Sequence, residues 1–181
     1  VECRLKNAEP LMQAGQVVAY NQLVVKEKQC CGHCADKMAK AKDGKNVKSK
    51  LIDKKGTDEI AITTADLTLK VNRTTGLISE YTYQGKSLLG EGGTLKPNFW
   101  RAPTDNDMGA QLQKKFKVWK NPQMNIKGVS VEKDKKANTY SICAVYDMPE
   151  VKGELEIRYL VMPNSGVVKV TETFKATQGE K

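Results

Sequence analysis

Short alternating runs separated by turn residues recur along most of this chain, and they constrain its fold more than any other feature. Residues 58–63 (DEIAIT) and 66–72 (DLTLKVN) alternate apolar and polar side chains, the pattern of a strand with one face buried. The stretch 73–76 (RTTG) reads as a turn that closes a hairpin onto 77–83 (LISEYTY). Gln84-Gly85 is a further tight turn before the short apolar run 87–89. Later runs at 125–132, 139–146, 154–162 and 166–174 repeat the theme, and 16–25 (QVVAYNQLVV) is β-branched with no helical period. Strands at such short spacing predict an all-β fold, an antiparallel β-sandwich. At 181 residues the chain is too short for a complete (β/α)8 barrel, which takes about 250.

Two segments break the pattern. Residues 36–50 are rich in alanine and lysine and read as a frayed helix or, with so little to bury, a loosely held linker. Residues 110–120 carry Leu112, Phe116 and Trp119 at four- and three-residue steps, which puts them on one helical face or makes them anchors of an irregular loop. The chain thus divides into 1–25, a lysine- and cysteine-rich linker at 26–56, and 57–181. The first part holds too few strands to bury a core alone. It is expected to lean on a preceding domain, in keeping with a chain that starts at Val1 rather than Met.

The charge is +9, yet 26 of the 30 basic residues are lysine. Residues 26–56 hold ten lysines against Glu27, Asp36, Asp43 and Asp53, a net of +6. Readers of phosphate favour arginine for its planar fork, and arginine stands only at 4, 73, 101 and 158. The lysines therefore describe a solvated face, and no nucleic acid is expected. No run approaches the roughly 20 apolar residues that cross a bilayer, so no membrane partner is expected either.

Five cysteines cannot all pair within one chain. Three fall in Cys30-Cys31-Gly32-His33-Cys34 beside the only histidine. Cys30, Cys31, His33 and Cys34 are weak zinc candidates, because structural zinc takes ligands from two spaced pairs and no second pair is present. The plainer reading is a reactive thiol patch, which favours a reducing interior slightly.

The densest chemistry lies at 98–109, NFWRAPTDNDMG. Trp100 offers a flat face of the kind that stacks on sugar rings. Asp105, Asn106 and Asp107 could bind hydroxyls or cap the next segment. Asp105-x-Asp107-x-Gly109 has the look of a calcium loop, but an EF-hand would need an acid where Lys115 stands. Two readings remain open: a structural turn with Arg101 paired to an aspartate, or a sugar-side loop.

The same twelve residues resemble the RAP-x-DND-x-G signature of the small-chain domain of glycoside hydrolase family 2 β-galactosidases. In the matching order, residues 14–22 (AGQVVAYNQ) resemble the strand that ends that family's immunoglobulin-like domain. Residues 66–83, with Thr75-Gly76-Leu77-Ile78, resemble the hairpin that opens its terminal domain. The resemblance implies an incomplete galactose mutarotase-like supersandwich at 57–181, preceded by the last strands of an immunoglobulin-like domain at 1–25.

It also implies a parent enzyme that hydrolyses terminal non-reducing β-D-galactose with retention. The two catalytic glutamates would sit on a separate barrel, so no catalytic residue is assigned to this chain. A divalent cation, Mg or Ca, would be bound elsewhere in the parent. Implied partners are the rest of the β-galactosidase chain, a β-galactoside and further copies in a homo-oligomer, in a bacterial cytoplasm or periplasm. A mobile loop would start at Gly109 beside the sugar pocket, braced by Trp100, Arg101, Asp105, Asn106 and Asp107.

Residues 26–56 show no recognised counterpart of the family's pattern and are expected to be a lineage-specific linker, and the family's late sugar-lining tryptophan would fall past Lys181. The alternatives are a stand-alone carbohydrate-binding or mutarotase-like module, which has only Trp100 and Trp119 for a platform, and a polyanion or zinc binder acting through 26–56.

Overall fold

The computed structural model describes residues 1–20, 45–53 and 56–177. The chain divides into two units, Val1–His33 and Cys34–Lys181. In the first, β1 (Glu2–Arg4) pairs antiparallel with β2 (Val17–Tyr20), with a break in register between Cys3 and Arg4. Every residue of both strands is exposed, so this hairpin buries no core of its own.

The second unit is a sandwich of two antiparallel meanders. One sheet runs in chain order through β3 (Lys50–Ile52), β4 (Glu59–Thr63), β5 (Leu67–Asn72), β6 (Ile78–Tyr83) and β7 (Lys86–Ser87). The other runs through β8 (Asn125–Asp134), β9 (Thr139–Met148), β10 (Gly153–Met162) and β11 (Val167–Ala176). Alternation dictates the packing. In β5, Leu67, Leu69 and Val71 are buried while Thr68, Lys70 and Asn72 are half-exposed. They join Ile60, Ile62 and Ile78 against Tyr140, Ile142, Tyr146, Leu155, Ile157 and Tyr159 of the other sheet. Each such side chain contributes about 1.5–3 kcal/mol on leaving water.

The two sheets grip each other's turns. The β5–β6 turn is closed by Asn72, whose side-chain oxygen accepts from the amides of Thr74 (2.8 Å) and Thr75 (3.0 Å), and by Gly76 at φ +69°. Tyr146 Oη donates to Thr75 O at 2.7 Å and Tyr159 Oη to Gly76 O at 3.2 Å. In return Tyr81 Oη donates to Gly166 O, in the β10–β11 turn, at 2.6 Å. Burial pushes the phenols of Tyr146 and Tyr159 well above their ordinary titration. A methyl at Gly76 would overlap Tyr146 Oη and come within 2.9 Å of Ala144 Cβ, so the turn admits only glycine.

The first sheet starts inside the lysine-rich stretch. Leu51 and Ile52 of β3 are half-buried, and Leu51 packs on the core. Asp53 pairs with Arg73. Just before β3, the Val47 amide donates to Asn164 Oδ1 at 2.8 Å, and Ser49 bonds Asn138 Oδ1 (3.2 Å) and Tyr140 Oη (2.8 Å). The expected strand residues 21–25, the alanine- and lysine-rich residues up to 44 and the Cys30–Cys34 cluster lie outside the described residues. No helix among the described residues is long and apolar enough to cross a membrane.

Candidate functional site

Residues 88–124 cross from β7 to β8 and carry the signature. They hold α1 (Asp105–Gly109), α2 (Leu112–Lys115) and a 3-10 turn at Lys117–Lys120, with no fully buried residue in any of the three. Trp119 sits in the 3-10 turn and anchors the segment. Its ring lies 5.6 Å from Phe99 and 5.4 Å, edge-on, from Phe174 of β11. The four- and three-residue spacing of Leu112, Phe116 and Trp119 therefore spans a short helix and an irregular turn. Trp119 is thereby committed to internal packing rather than to a ligand platform.

The start of α1 is a capping box. Thr104 is the N-cap, and Asp107 at N3 reaches back to it. Asp107 Oδ2 accepts from the Thr104 amide at 2.8 Å and from Thr104 Oγ1 at 3.0 Å. Arg101 closes on the same carboxylate as a fork, Nη1 to Oδ2 at 2.7 Å and Nη2 to Oδ1 at 3.0 Å. The Thr104 amide first, and then Arg101, hold the Asp107 carboxyl below the usual carboxylate range. Its side chain is 16% exposed while that of Arg101 is 67% exposed, so the carboxylate is the sheltered member of the pair. Asp105 and Asn106 occupy the exposed first turn, and the guanidinium turns to Asp107 and to Ala102 O (3.2 Å) instead. Gly109 ends α1 with open space where a Cβ would stand. Two residues on, Gln111 takes a left-handed φ of +56° as α2 begins.

Around this lock lies a cleft of about 180 Å³. Phe99, Trp100, Pro103 and Phe116 give it apolar walls, and the Arg101–Asp107 pair and Gln113 add polar groups. Gln113 Oε1 is buried without a partner. The backbone amide of Trp100 is turned inward to Asn98 Oδ1 at 3.0 Å, which fixes the tryptophan at the cleft wall. Thr104 and Phe99, inside the 98–109 stretch, and Phe116, on the expected 112–116–119 face, join the site without being sequence-level site candidates. The Thr-x-x-Asp spacing at 104–107 was the available signal for the first. Chemically the site can hold a flat or hydroxylated group, and a carboxylate so thoroughly hydrogen-bonded is the opposite of a general acid. Among the described residues no three of His, Cys, Asp and Glu come together to hold a metal.

Comparison with known proteins places this surface in a family. The model of the β-galactosidase small chain matches residues 63–180. A β-galactosidase of Priestia megaterium is 25% identical over 185 aligned positions, covering 93% of this chain and 16% of that protein. Those of Halalkalibacterium halodurans and Clostridium acetobutylicum are each 25% identical and cover 97% of this chain. The chain spans 16–18% of the length of these curated relatives.

Proposed function

The chain belongs to the β-galactosidase small chain family, and from that premise we propose that it is a non-catalytic β-sandwich region of an enzyme hydrolysing terminal non-reducing β-D-galactose residues. In this reading the remainder of the enzyme supplies the acid/base and nucleophilic glutamates, and reaction proceeds with retention through a galactosyl-enzyme intermediate. The divalent cation implied for such an enzyme, Mg or Ca, would be held elsewhere in the parent enzyme and not by this chain.

The role of this chain is to position a loop beside the sugar. The observation that carries the reading is the four-contact lock on Asp107, two residues before Gly109 at the end of α1 and four before Gln111. A bidentate Arg101 and a capped helix fix the base of the segment, and the glycine and left-handed glutamine come directly after, where a closing loop would bend. Trp100, Arg101 and Asp107 line the cleft on the fixed side, and Asp105 and Asn106 face solvent on the first turn of α1.

The test is Arg101→Ala in the whole β-galactosidase that carries this sequence. Expected is a fall of about tenfold in kcat/KM for an aryl β-galactoside, from misplacement of a positioning element. Arg101→Lys should recover only part of it, since an ammonium cannot reproduce the fork. Unchanged kinetics together with unchanged stability would sink the proposal.

A further inference from the structure

A second groove, distinct from the Trp100 cleft, runs beside the same segment. It consists of two cavities of about 260 and 340 Å³ that share Lys96, Asn121, Pro122 and Met124. Asn98 and Lys120 line one end, and Thr74, Thr75 and Tyr146 the other. Among the described residues, the wall it shares with the Trp100 cleft is Phe99.

The groups that face this groove are mostly donors. Lys96 and Lys120 present ammonium groups, which donate and never accept. The carbonyl of the Asn98 side chain accepts from the Trp100 amide at 3.0 Å, and its NH2 remains available to donate. Asn121 adds a second amide. Among the described residues, no aspartate or glutamate lines either cavity. Glu150, which accepts from the Gln123 amide at 2.9 Å, is not among the lining residues. The ion pairs found among the described residues engage neither Lys96 nor Lys120. On the sandwich body, Lys70 pairs with Glu80 and Lys127 with Glu154, each at 2.8 Å. A concave site with two unpaired cations, two amides and no carboxylate calls for a ligand made of acceptors.

We propose that this groove binds a small ligand bearing an oxyanion, a carboxylate or a phosphate, seated between Lys96 and Lys120. The body of the ligand extends over Met124 toward the hydroxyls of Thr74 and Thr75, a lining that suits a sugar-sized polyol.

Calorimetric titration of the 181-residue chain with glucose 6-phosphate, glucuronate, inorganic phosphate and neutral glucose tests this. The anionic sugars should bind in roughly the millimolar range, and glucose should not bind. The tighter of the two anions identifies which oxyanion the site takes, and inorganic phosphate weaker than glucose 6-phosphate supports the Thr74–Thr75 end. A Lys96→Gln/Lys120→Gln double variant should weaken binding about tenfold or more. A Lys114→Gln/Lys115→Gln variant, with the same loss of net charge on exposed α2 residues, should leave it unchanged. Equal weakening by both doubles would mean diffuse charge attraction and overturn the site. So would glucose binding as well as the anions, or no anion binding at about 20 mM and low salt.

Discussion

In the sandwich body, Tyr146 and Tyr159 reach from the second sheet to the carbonyls of Thr75 and Gly76 in a turn of the first. In the 88–124 segment, Arg101 and Thr104 converge instead on the carboxylate of Asp107. The first lock works only while its phenols stay protonated, buried at the core. The second works only while its carboxylate stays ionised, in a place that solvent reaches. One region is thus held by burial and the other by charge at a surface, where an isolated pair contributes little to global stability.

The same substitution in the two regions gives the widest separation. Gly76→Ala forces a side chain into a left-handed backbone and onto Tyr146 Oη and Ala144 Cβ, and should cost about 3–5 kcal/mol in urea unfolding. Gly109→Ala meets nothing within 4 Å at an ordinary backbone angle and should stay within about 0.5 kcal/mol. If Gly76→Ala cost less than about 1 kcal/mol, the tyrosine lock would not be the feature that holds the turn.

Alkali acts on the body's phenols together. Their titration is raised by burial, so the stability they bring is complete below the unfolded value near 10 and drains away as pH rises beyond it. Chemical unfolding midpoints should therefore hold from pH 7 to 9.5 and fall above pH 10. A midpoint that stayed flat to pH 11.5 would show that the buried hydroxyls contribute nothing through protonation. Removing one hydroxyl is a smaller step. Tyr146→Phe leaves the Thr75 carbonyl without its donor and should cost about 1–2 kcal/mol, with the fold retained.

The strands could be read from sequence because alternation is a local property. Leu67, Leu69 and Val71 on one face and Thr68, Lys70 and Asn72 on the other need no knowledge of the partner sheet. The 73–76 turn was equally legible, since Asn72 and Gly76 bracket it with the side chain and the backbone freedom that a turn demands. β3 was not. Leu51 and Ile52 are two apolar residues among lysines, and only the neighbouring strand and the Asn138–Asn164 contacts make them a sheet edge.

In the site, the presence of an arginine beside acids was visible, but the choice of partner was not. Asp105, Asn106 and Asp107 are adjacent oxygen carriers, and it takes the helix to put residue 107, at N3, back over the N-cap. The oxyanion groove was invisible for a different reason. Lys96, Lys120 and Thr75 lie far apart in sequence and meet only once both sheets and the crossing segment have folded.

The smallest expected effect sharpens the contrast most, because it should be local. Thr104→Ala removes the N-cap oxygen that receives the Asp107 amide and the hydroxyl that donates to Asp107 Oδ2. Loss of a cap costs a helix about 1 kcal/mol, which speeds opening of that helix about fivefold. Hydrogen exchange of the Met108 and Ala110 amides, which donate to Thr104 O and Asn106 O, should rise by that factor while the urea midpoint of the chain stays put. Acid should do the same to the wild type. The Asp107 carboxyl titrates below its unfolded value, so its contribution is complete above about pH 4 and is lost as pH falls through the lower folded value. Exchange at these two amides, corrected for its intrinsic pH dependence, should therefore quicken below pH 4 in the wild type. If Thr104→Ala lowered the global midpoint as far as Tyr146→Phe does, α1 would belong to the cooperative body. The division between a buried lock and a surface lock would then fail.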